Sequence, residues 1–376
     1  DQISSKMPNL SMQNALVLVQ FIISAGLIIS SLVIYSQLSF VGDKDLGFDK
    51  NNLIALRLDN RNCVKKSGLL REQLSRHPHI QHVSVASDYP VNGMTQNGYL
   101  PEGQDRMISI HALYVDPFYL ETLDMDLVHG KNFDDLTPDS NHILINQTLA
   151  RELNWEKPLD KIITRNGVDY RVIGVVGDFH YESLHKPIGP VLFTLKPRKR
   201  VILAEITQGH LDEATSFIKE KWEEVTGDHF LGYTNISRAY NRMYRNESQF
   251  AEKVLFFTLL AIFLACLGLF GLTAISATRR TKEMGIRKAL GANALSVNWL
   301  MLRQYTRWVL FSNVVAWPLA YYLMRQWLEH FAYRIDLSLG FFLAGSAITL
   351  LISMLTISWL ASRLARSNPI YCLREE

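Results

Sequence analysis

Four stretches of this 376-residue chain contain no Asp, Glu, Lys, Arg or His. They cover residues 7–42, 254–278, 308–324 and 337–362, so all 39 basic and 36 acidic residues lie elsewhere in the chain. A helix needs about 20 apolar residues to cross the roughly 30 Å hydrocarbon core of a bilayer. The pattern predicts four transmembrane helices, and it excludes a simple soluble globular protein, a disordered chain and a collagen-like chain.

The third stretch is the shortest of the four and contains Pro318. Arg307 and Arg325 at its two ends can extend to the membrane interfaces, and proline is tolerated in membrane helices. We therefore expect a transmembrane span here as well, with a buried or re-entrant helix as the alternative.

The charges between the spans predict the orientation of the chain. Residues 279–307 carry seven basic residues against Glu283 alone, and the tail after residue 362 carries three basic and two acidic residues. Cytoplasmic loops of membrane proteins are enriched in Lys and Arg. Both termini and the 279–307 loop are therefore expected in the cytoplasm, and residues 43–253 outside it.

The first apolar stretch has a signal peptide as its alternative interpretation. Its apolar core, residues 15–35, is longer than the roughly 7–15 residues typical of a signal sequence, which favours a membrane helix. Residue 1 is Asp rather than Met, so we expect a piece of a longer chain. The predicted topology separates Cys63, Cys266 and Cys372 into three compartments, and no disulfide is expected.

The large segment outside the membrane alternates strand and helix patterns. Two strand–helix–strand units, at about residues 50–90 and 200–236, are expected to pair into one α+β layer. Their predicted strands are residues 53–58, 80–86, 201–206 and 230–236, and their predicted helices are residues 65–76 and 211–225. Residues 91–200 have short strand patterns with Gly and Pro turns, and they predict an inserted, mainly β subdomain.

The connection from this domain into the second span predicts one long helix. Ser237 is a plausible N-cap, and no strong helix breaker follows before Gly268. At 1.5 Å per residue, a helix over residues 238–278 would be about 60 Å long. Because that length exceeds the bilayer thickness, we expect a rigid stalk that can transmit motion.

The sequence contains none of the common catalytic or nucleotide-binding motifs, so an enzyme is not expected. The chain has no phosphate-binding loop, dinucleotide fingerprint, zinc-protease motif or nucleophile elbow, so no catalytic, cofactor or metal site is expected. His77, His79 and His82 have no standard metal-ligand spacing and are interpreted as solvated loop residues. Asp178, His180 and His185 follow a buried strand pattern, which favours a turn or interface role over catalysis.

Small residues recur within the spans, and two interpretations of them stay open. Ala265 and Gly268 are examples, and small residues allow membrane helices to pack closely. Packing within one chain is favoured over a dedicated dimer motif. Mid-span charges are absent from the sequence, which argues against a proton- or ion-coupled transporter and a channel.

The basic loop after the second span carries the functional signal. Apolar residues alternate with basic ones over residues 279–292, and Gly291 can end a short helix by adopting a left-handed conformation. Such an amphipathic helix is suited to a groove on a cytoplasmic partner. A basic segment on anionic lipid is the equal alternative on physical grounds.

The same loop resembles a known family signature. The stretch R-x-K-E-M-G-I-R-K-A-L-G-A, starting at Arg280, resembles that of FtsX-like permeases, the membrane subunits of MacB-type ABC transporters. The C-terminal Asn368-Pro369-Ile370 with Leu373-Arg374 resembles the closing motif of that family. Collinear stretches in the outer segment resemble the MacB-type periplasmic domain: residues 115–119, 130–133, 145–147, 173–176 and 178–180. Lys131 departs from the Arg usual in the family.

The resemblance implies a membrane α-helical protein with four transmembrane helices in MacB-type topology and an α+β periplasmic domain. Residues 1–42 are then the N-terminus and first transmembrane or stalk helix, and residues 43–250 the periplasmic domain. Residues 251–376 are the permease domain, with spans at about 254–278, 306–326 and 337–362. The sequence most resembles the second half of a longer permease of the bacterial inner membrane, in which this unit occurs twice.

The function implied by the resemblance is that of an ABC transporter permease without its own ATPase. A separate cytoplasmic ATPase would drive periplasmic conformational work, in efflux or extraction, by mechanotransmission. The residues expected to contact the ATPase are Glu283, Met284, Gly285, Ile286, Arg287, Lys288, Gly291 and Ala292.

Further expected partners are a second permease half or a homodimer partner, membrane lipid and a periplasmic adaptor. Nucleic acid is not expected. The alternative function is a signalling protein of the same build that activates a periplasmic hydrolase or a peptide-sensing kinase.

Overall fold

The computed structural model describes residues 12–134, 141–195, 198–230, 232–279 and 294–365. The chain divides into two compact units. The membrane unit comprises Asp1–Gly42, Asn246–His330 and Arg334–Glu376. The outer unit comprises Asp43–Arg245 together with Phe331–Tyr333, a tripeptide that comes from far along the sequence.

The described residues contain the following helices and strands. The helices are α1 (Met12–Asp43), α2 (Arg61–Leu74), α3 (Tyr119–Thr122), α4 (Gln147–Glu152), α5 (Leu211–Thr226), α6 (Ile236–Met243), α7 (Arg245–Arg279), α8 (Ala294–Leu328) and α9 (Leu339–Ala365). The strands are β1 (Leu53–Arg57), β2 (Ile80–Ala86), β3 (Thr95–Pro101), β4 (Ile108–Tyr114), β5 (Leu127–Gly130), β6 (His142–Asn146), β7 (Ile162–Arg165), β8 (Val168–Val176), β9 (Val191–Thr194), β10 (Val201–Ile206) and β11 (Thr234–Asn235).

The two strand–helix–strand units pair into one four-stranded antiparallel sheet, as their patterns predict. Its order is β11-β1-β10-β2, with Ala55 opposite Leu203 at the centre and Leu203 opposite Ser84. Helices α2 and α5 pack together on this sheet. Leu70 of α2 and Ile218 of α5 are completely buried, because each belongs to the apolar face of an amphipathic helix. The result is a split β-α-β layer.

The segment between these units forms a seven-stranded mixed sheet. Its order is β5-β8-β6-β9-β4-β3-β7, and β7 also pairs with β8, so that six of the strands form a closed ring of pairings. The pairs β4–β9 and β6–β8 are parallel. The ring encloses a core that includes Ile110, Ile145, Ile163 and Val172, each at most 1% exposed.

A partly buried carboxylate joins the two sheets. Asp116, just before α3, accepts hydrogen bonds from Ser84 Oγ at 2.6 Å and from the Val85 backbone N at 2.8 Å, both in β2. Burial raises the pKa of the Asp116 carboxyl, and these hydrogen bonds oppose the increase. Because Asp116 follows β4, it ties the seven-stranded sheet to the four-stranded one.

The described residues of the four predicted spans lie almost entirely in α1, α7, α8 and α9 of the membrane unit. Three described helices have segments long and apolar enough to cross a membrane: Ala15–Asp43, Arg245–Leu272 and Leu339–Trp359. The third predicted span lies in α8, which contains Pro318 and is not among these three. Polar residues such as Asn313 lower the mean hydropathy of α8.

Three predictions about the end of the outer unit and its connection into the second span are wrong. Asn235, not Ser237, caps α6, because its side chain accepts a hydrogen bond from the Arg238 backbone N at 2.9 Å. The expected single helix over residues 238–278 is interrupted at Tyr244, between α6 and α7. The predicted strand over residues 230–236 reduces to Thr234–Asn235, since Ile236 already begins α6.

Candidate functional site

The predicted ATPase-contact residues lie outside the described part of the chain. Residues 280–293 are not among those that the structure describes. The predicted contact residues in this segment are Glu283, Met284, Gly285, Ile286, Arg287, Lys288, Gly291 and Ala292. The helices on either side are described: α7 ends at Arg279 and α8 begins at Ala294. The role of this segment therefore stays a prediction.

Close packing of α7 against α1 explains one of the small residues in the spans. A Cβ added to Gly268 would lie 2.3 Å from Gln20 Oε1 of α1, and Ala265 is buried in the same cluster as Val17 and Phe21. In α9, a Cβ on Gly345 would lie 2.5 Å from the side chain of Ile29. These positions support packing within one chain.

One loop of the outer unit, residues 178–188, contacts every place where the chain enters or leaves that unit. We call it the 178–188 loop. At the entry after α1, the His180 backbone N donates to the Leu46 carbonyl at 2.8 Å. Gly47 has a φ of 73°, and a Cβ there would lie 2.3 Å from the Asp178 carbonyl oxygen. Glycine is therefore required for this close approach.

The exit before α7 is held by the same loop. The Leu184 backbone N donates to the Tyr244 hydroxyl at 2.7 Å, and the rings of His185 and Tyr244 are stacked 6.0 Å apart. Leu184 is completely buried. These contacts account for the break between α6 and α7, because they fix Tyr244 within the outer unit.

The Phe331–Tyr333 tripeptide, between α8 and α9 in sequence, also packs on the 178–188 loop. The Leu184 carbonyl accepts hydrogen bonds from the backbone N of Ala332 at 3.1 Å and of Tyr333 at 3.2 Å. The Phe331 ring stacks on His185 at 4.2 Å, and Tyr333 meets His180 edge-on at 4.6 Å. No feature of the tripeptide sequence alone reveals this contact, since its partners lie about 150 positions earlier.

The beginning of the 178–188 loop is anchored in the seven-stranded sheet. The Asp178 carboxylate accepts hydrogen bonds from the Thr148 backbone N at 2.8 Å, from Asn146 Nδ2 at 3.0 Å and from Arg151. Phe179 is completely buried against Phe193 of β9. The 178–188 loop is therefore bonded to β6 and α4 and packed on β9.

The His180 side chain is a buried, neutral part of this arrangement. Burial and, to a smaller extent, Lys44 lower its pKa to about 4, and Asp178 and Asp45 oppose this shift. Burial also raises the pKa of the Tyr181 phenol to about 12. At neutral pH the loop is thus held by packing and hydrogen bonds rather than by a charged imidazole.

The histidine trio of the 77–82 segment does not converge. His77 packs on Phe217 at 4.5 Å, His79 stacks on His210 at 3.7 Å, and the His82 Nδ1 lies 3.4 Å from Glu121. All three side chains are partly buried. The interpretation of them as solvated loop residues is therefore wrong, because His77 and His79 pack against α5 and its N-cap residue and His82 faces α3.

Comparisons with known proteins agree with the sequence signature. The MacB-like periplasmic core domain profile matches residues 22–206, and the FtsX-like permease C-terminal profile matches residues 255–369. The macrolide export ATP-binding/permease protein MacB of Aggregatibacter actinomycetemcomitans is 22% identical over 239 residues, which are 60% of this chain and 36% of that protein. MacB of Bdellovibrio bacteriovorus is 23% identical over 279 residues, which are 66% of this chain and 42% of that protein.

A solved structure is also similar to the outer part of the chain. The periplasmic region of MacB from Actinobacillus actinomycetemcomitans aligns with 15% identity and a TM-score of 0.39, over 53% of this chain and 95% of that one. The chain spans well under half the length of the two curated relatives.

Permease-type members of this family are generally not enzymes themselves, and the combination of family and apolar helices indicates an inner-membrane protein. The two profiles follow each other along the chain in the order that the family signature implies. This chain belongs to the FtsX-like, MacB-type family of ABC transporter permeases, with a MacB-like periplasmic core domain and an FtsX-like C-terminal domain.

Proposed function

We propose that this chain is the permease subunit of an ABC transporter that works by mechanotransmission. A separate cytoplasmic ATPase binds the 280–293 segment, and its ATP-driven movement reaches the periplasmic domain as conformational work for efflux or extraction. The proposal is supported by the family and by relatives whose names join an ATP-binding part to a permease part. A second permease half or copy and a periplasmic adaptor are proposed as further partners.

The proposal places four spans in the inner membrane, with both termini and the 280–293 segment in the cytoplasm. The seven-to-one excess of basic residues in the 279–307 loop supports this orientation. Although α8 is the least apolar of the four helices, it exposes large apolar side chains in the same way as the others do. Val314 is 67% exposed and Leu323 55% exposed, as expected for side chains that face lipid.

The single observation that carries the proposal is the convergence of all chain connections on the 178–188 loop. Residues next to α1, before α7 and between α8 and α9 all bond or stack with that loop. Asp178 and Phe179 then connect it to the core of the seven-stranded sheet. An arrangement of this kind converts helix movements into one movement of the sheet, which is the requirement for transmission without a substrate path through the membrane.

A reconstituted system tests both ends of this path. The chain is placed in nanodiscs with its cognate ABC ATPase, and ATP turnover is measured beside co-purification of the two subunits. Gly291→Pro combined with Glu283→Arg should abolish both, because proline lacks a backbone donor and cannot adopt the positive φ that a helix C-cap at Gly291 would require. The charge reversal removes the one acidic group of the loop. Tyr333→Ala should leave co-purification intact while it lowers the stimulation of ATP turnover.

Gly271→Ala is the matched control, since a Cβ at Gly271 meets no described atom within 4 Å. This change should leave both readouts at the level of the parent chain. If the double change leaves docking and turnover intact, the 280–293 segment is a lipid-facing basic loop and the proposal fails. If Tyr333→Ala has no effect on turnover, transmission does not pass through the 178–188 loop.

A further inference from the structure

A histidine pair and a glutamate meet at one end of the four-stranded sheet, remote in sequence from one another. His79 directly precedes β2, and His210 and Glu213 lie at the beginning of α5. The Glu213 Oε2 atom is 3.6 Å from His79 Nε2 and 3.3 Å from His210 Nδ1. One ligand atom from each of the three side chains can be chosen so that all lie within 4.8 Å of one another.

The backbone holds His79 and His210 side by side. The Thr207 backbone N donates to the His79 carbonyl at 3.0 Å, and the Thr207 carbonyl accepts from the His210 backbone N at 3.1 Å. The rings are stacked, 3.7 Å apart and within 9° of parallel, so one ring must rotate before the nitrogen lone pairs, which lie in the ring planes, can reach one ion. His77 adds support, because its Nδ1 accepts a hydrogen bond from the His79 backbone N at 3.2 Å while its ring packs on Phe217.

The position of His210 at the N-terminus of α5 does not explain why this residue is a histidine. His210 is the N-cap residue of α5, a position that favours side chains whose oxygen can accept a hydrogen bond from the helix. Its side chain makes no capping hydrogen bond, and the ring is directed at Glu213 instead. A histidine at this position is explained better by what its ring can bind than by the helix.

Two of the three ligand-atom separations fit the spacing around a small transition-metal ion, and the third lies within 4.8 Å. Metal–nitrogen distances of about 2.0–2.1 Å in a tetrahedral site place neighbouring ligand atoms roughly 3.4 Å apart. The two separations from Glu213 Oε2, 3.3 and 3.6 Å, agree with that spacing. Two imidazole nitrogens and one carboxylate oxygen suit Zn²⁺ and its neighbours, whereas Ca²⁺ and Mg²⁺ prefer oxygen ligands alone.

We propose that His79, His210 and Glu213 form a binding site for a divalent transition-metal ion such as Zn²⁺. The site has three protein ligands and leaves a fourth position open to solvent or to a ligand from outside the chain. Bound metal joins the end of β2 to the beginning of α5 and so clamps this end of the layer. His210 and Glu213 lie beyond residue 206, where the match to the periplasmic core domain ends.

Metal binding by the purified full chain tests this site. The chain carries an affinity tag without histidine, is stripped of metal and is then titrated with Zn²⁺ in equilibrium dialysis. The parent chain should bind one equivalent of Zn²⁺ at this site, and Co²⁺ should give the visible absorption of a low-symmetry, four-coordinate site. Mg²⁺ at the same concentration should neither displace the Zn²⁺ nor raise the unfolding temperature.

Variants of the ligands assign the bound metal to this cluster. His79→Ala and His210→Ala should each weaken binding by at least the roughly 10- to 100-fold that loss of a supporting outer-shell group costs. His229→Ala is the matched control, because it removes a histidine 3.6 Å from Glu223 in the same domain, and no metal-ligand group among the described residues includes this pair. It should bind Zn²⁺ as tightly as the parent chain does.

Folding of each variant is checked by its unfolding temperature without metal. Should an alanine variant not fold, Glu213→Gln provides the same test, since it keeps the size of the side chain and removes its charge. A parent chain that binds no Zn²⁺, or ligand variants that bind as tightly as His229→Ala, would overturn the proposal.

Discussion

The two sheets of the outer unit place the same residue types in opposite surroundings. In the four-stranded layer, Asn60 caps α2 at the surface and also donates to Asp228 at 3.0 Å. In the seven-stranded sheet, Asn146 caps α4 but is completely buried, and its amide makes four hydrogen bonds. The comparison shows that a polar side chain is a local support in the first layer and part of a continuous internal network in the second.

This difference corresponds to the connections of each sheet. The network around Asn146 includes Asp178, and through it the 178–188 loop, which contacts Leu46, Tyr244 and the Phe331–Tyr333 tripeptide within the outer unit. The four-stranded layer instead carries His79 and His210 at one of its ends, where both side chains are partly exposed. We therefore expect the seven-stranded sheet to respond to movement of the helices and the four-stranded layer to respond to solutes.

The largest expected effect tests whether the two sheets unfold together. Phe193→Ala in β9 and Trp222→Ala in α5 should each lower the free energy of unfolding by about 3–5 kcal/mol, since each removes a buried aromatic side chain. Because Asp116 joins β2 to the segment after β4, we expect one cooperative transition. Hydrogen exchange of the full chain in nanodiscs should therefore increase in both sheets for either variant.

Leu69→Ala serves as the control, because Leu69 is 51% exposed on α2 and its removal should change stability by less than about 0.5 kcal/mol. Exchange that increases in only the mutated sheet would show that the sheets are independent. The bridge through Asp116 would then contribute little to their coupling.

The next effect compares the two asparagine caps directly. Asn60→Ala should cost about 1 kcal/mol, as is typical of the loss of an exposed N-cap. Asn146→Ala should cost about 2–4 kcal/mol, because it also leaves the Val191 backbone N and the Gly189 carbonyl without their partner in a buried site. Denaturant unfolding of the full chain measures both, and equal losses would contradict the distinction between the two environments.

The sequence predicts the four-stranded layer well for a physical reason. The predicted strands at residues 80–86 and 201–206 match β2 and β10, and the two amphipathic helices are present. Each element has a regular apolar period that matches the side of the layer it buries. The strand predicted over residues 230–236 is longer than the two-residue β11, since the apolar residues near β11 belong to α6 and to the packing around it.

The seven-stranded sheet and the 178–188 loop were much less predictable. Strands β5, β7 and β9 have four residues each, which is too short to show a period, and the order of the sheet does not follow the sequence. The position of Asp178 and His180 after a buried strand pattern does predict a turn or interface role. Its partners Tyr244 and Tyr333 were not identified, because contacts over such separations leave no local pattern.

The smallest effect concerns the pH dependence of the seven-stranded sheet through His180. Its pKa is about 4 in the folded chain and roughly 6.5 when unfolded, so the unfolded chain binds the proton more readily. Stability from this group is complete above pH 6.5 and is lost as the pH falls toward 4. Between pH 6.5 and 5, the loss should reach about 2 kcal/mol, at about 1.36 kcal/mol per unit.

His180→Gln should flatten this part of the stability curve, whereas His229→Gln, at a side chain 97% exposed, should leave it unchanged. If the stability of the parent chain and of His180→Gln depended on pH in the same way, His180 would not be held neutral. The four-stranded layer and the seven-stranded sheet would then not differ in the pH dependence of their stability.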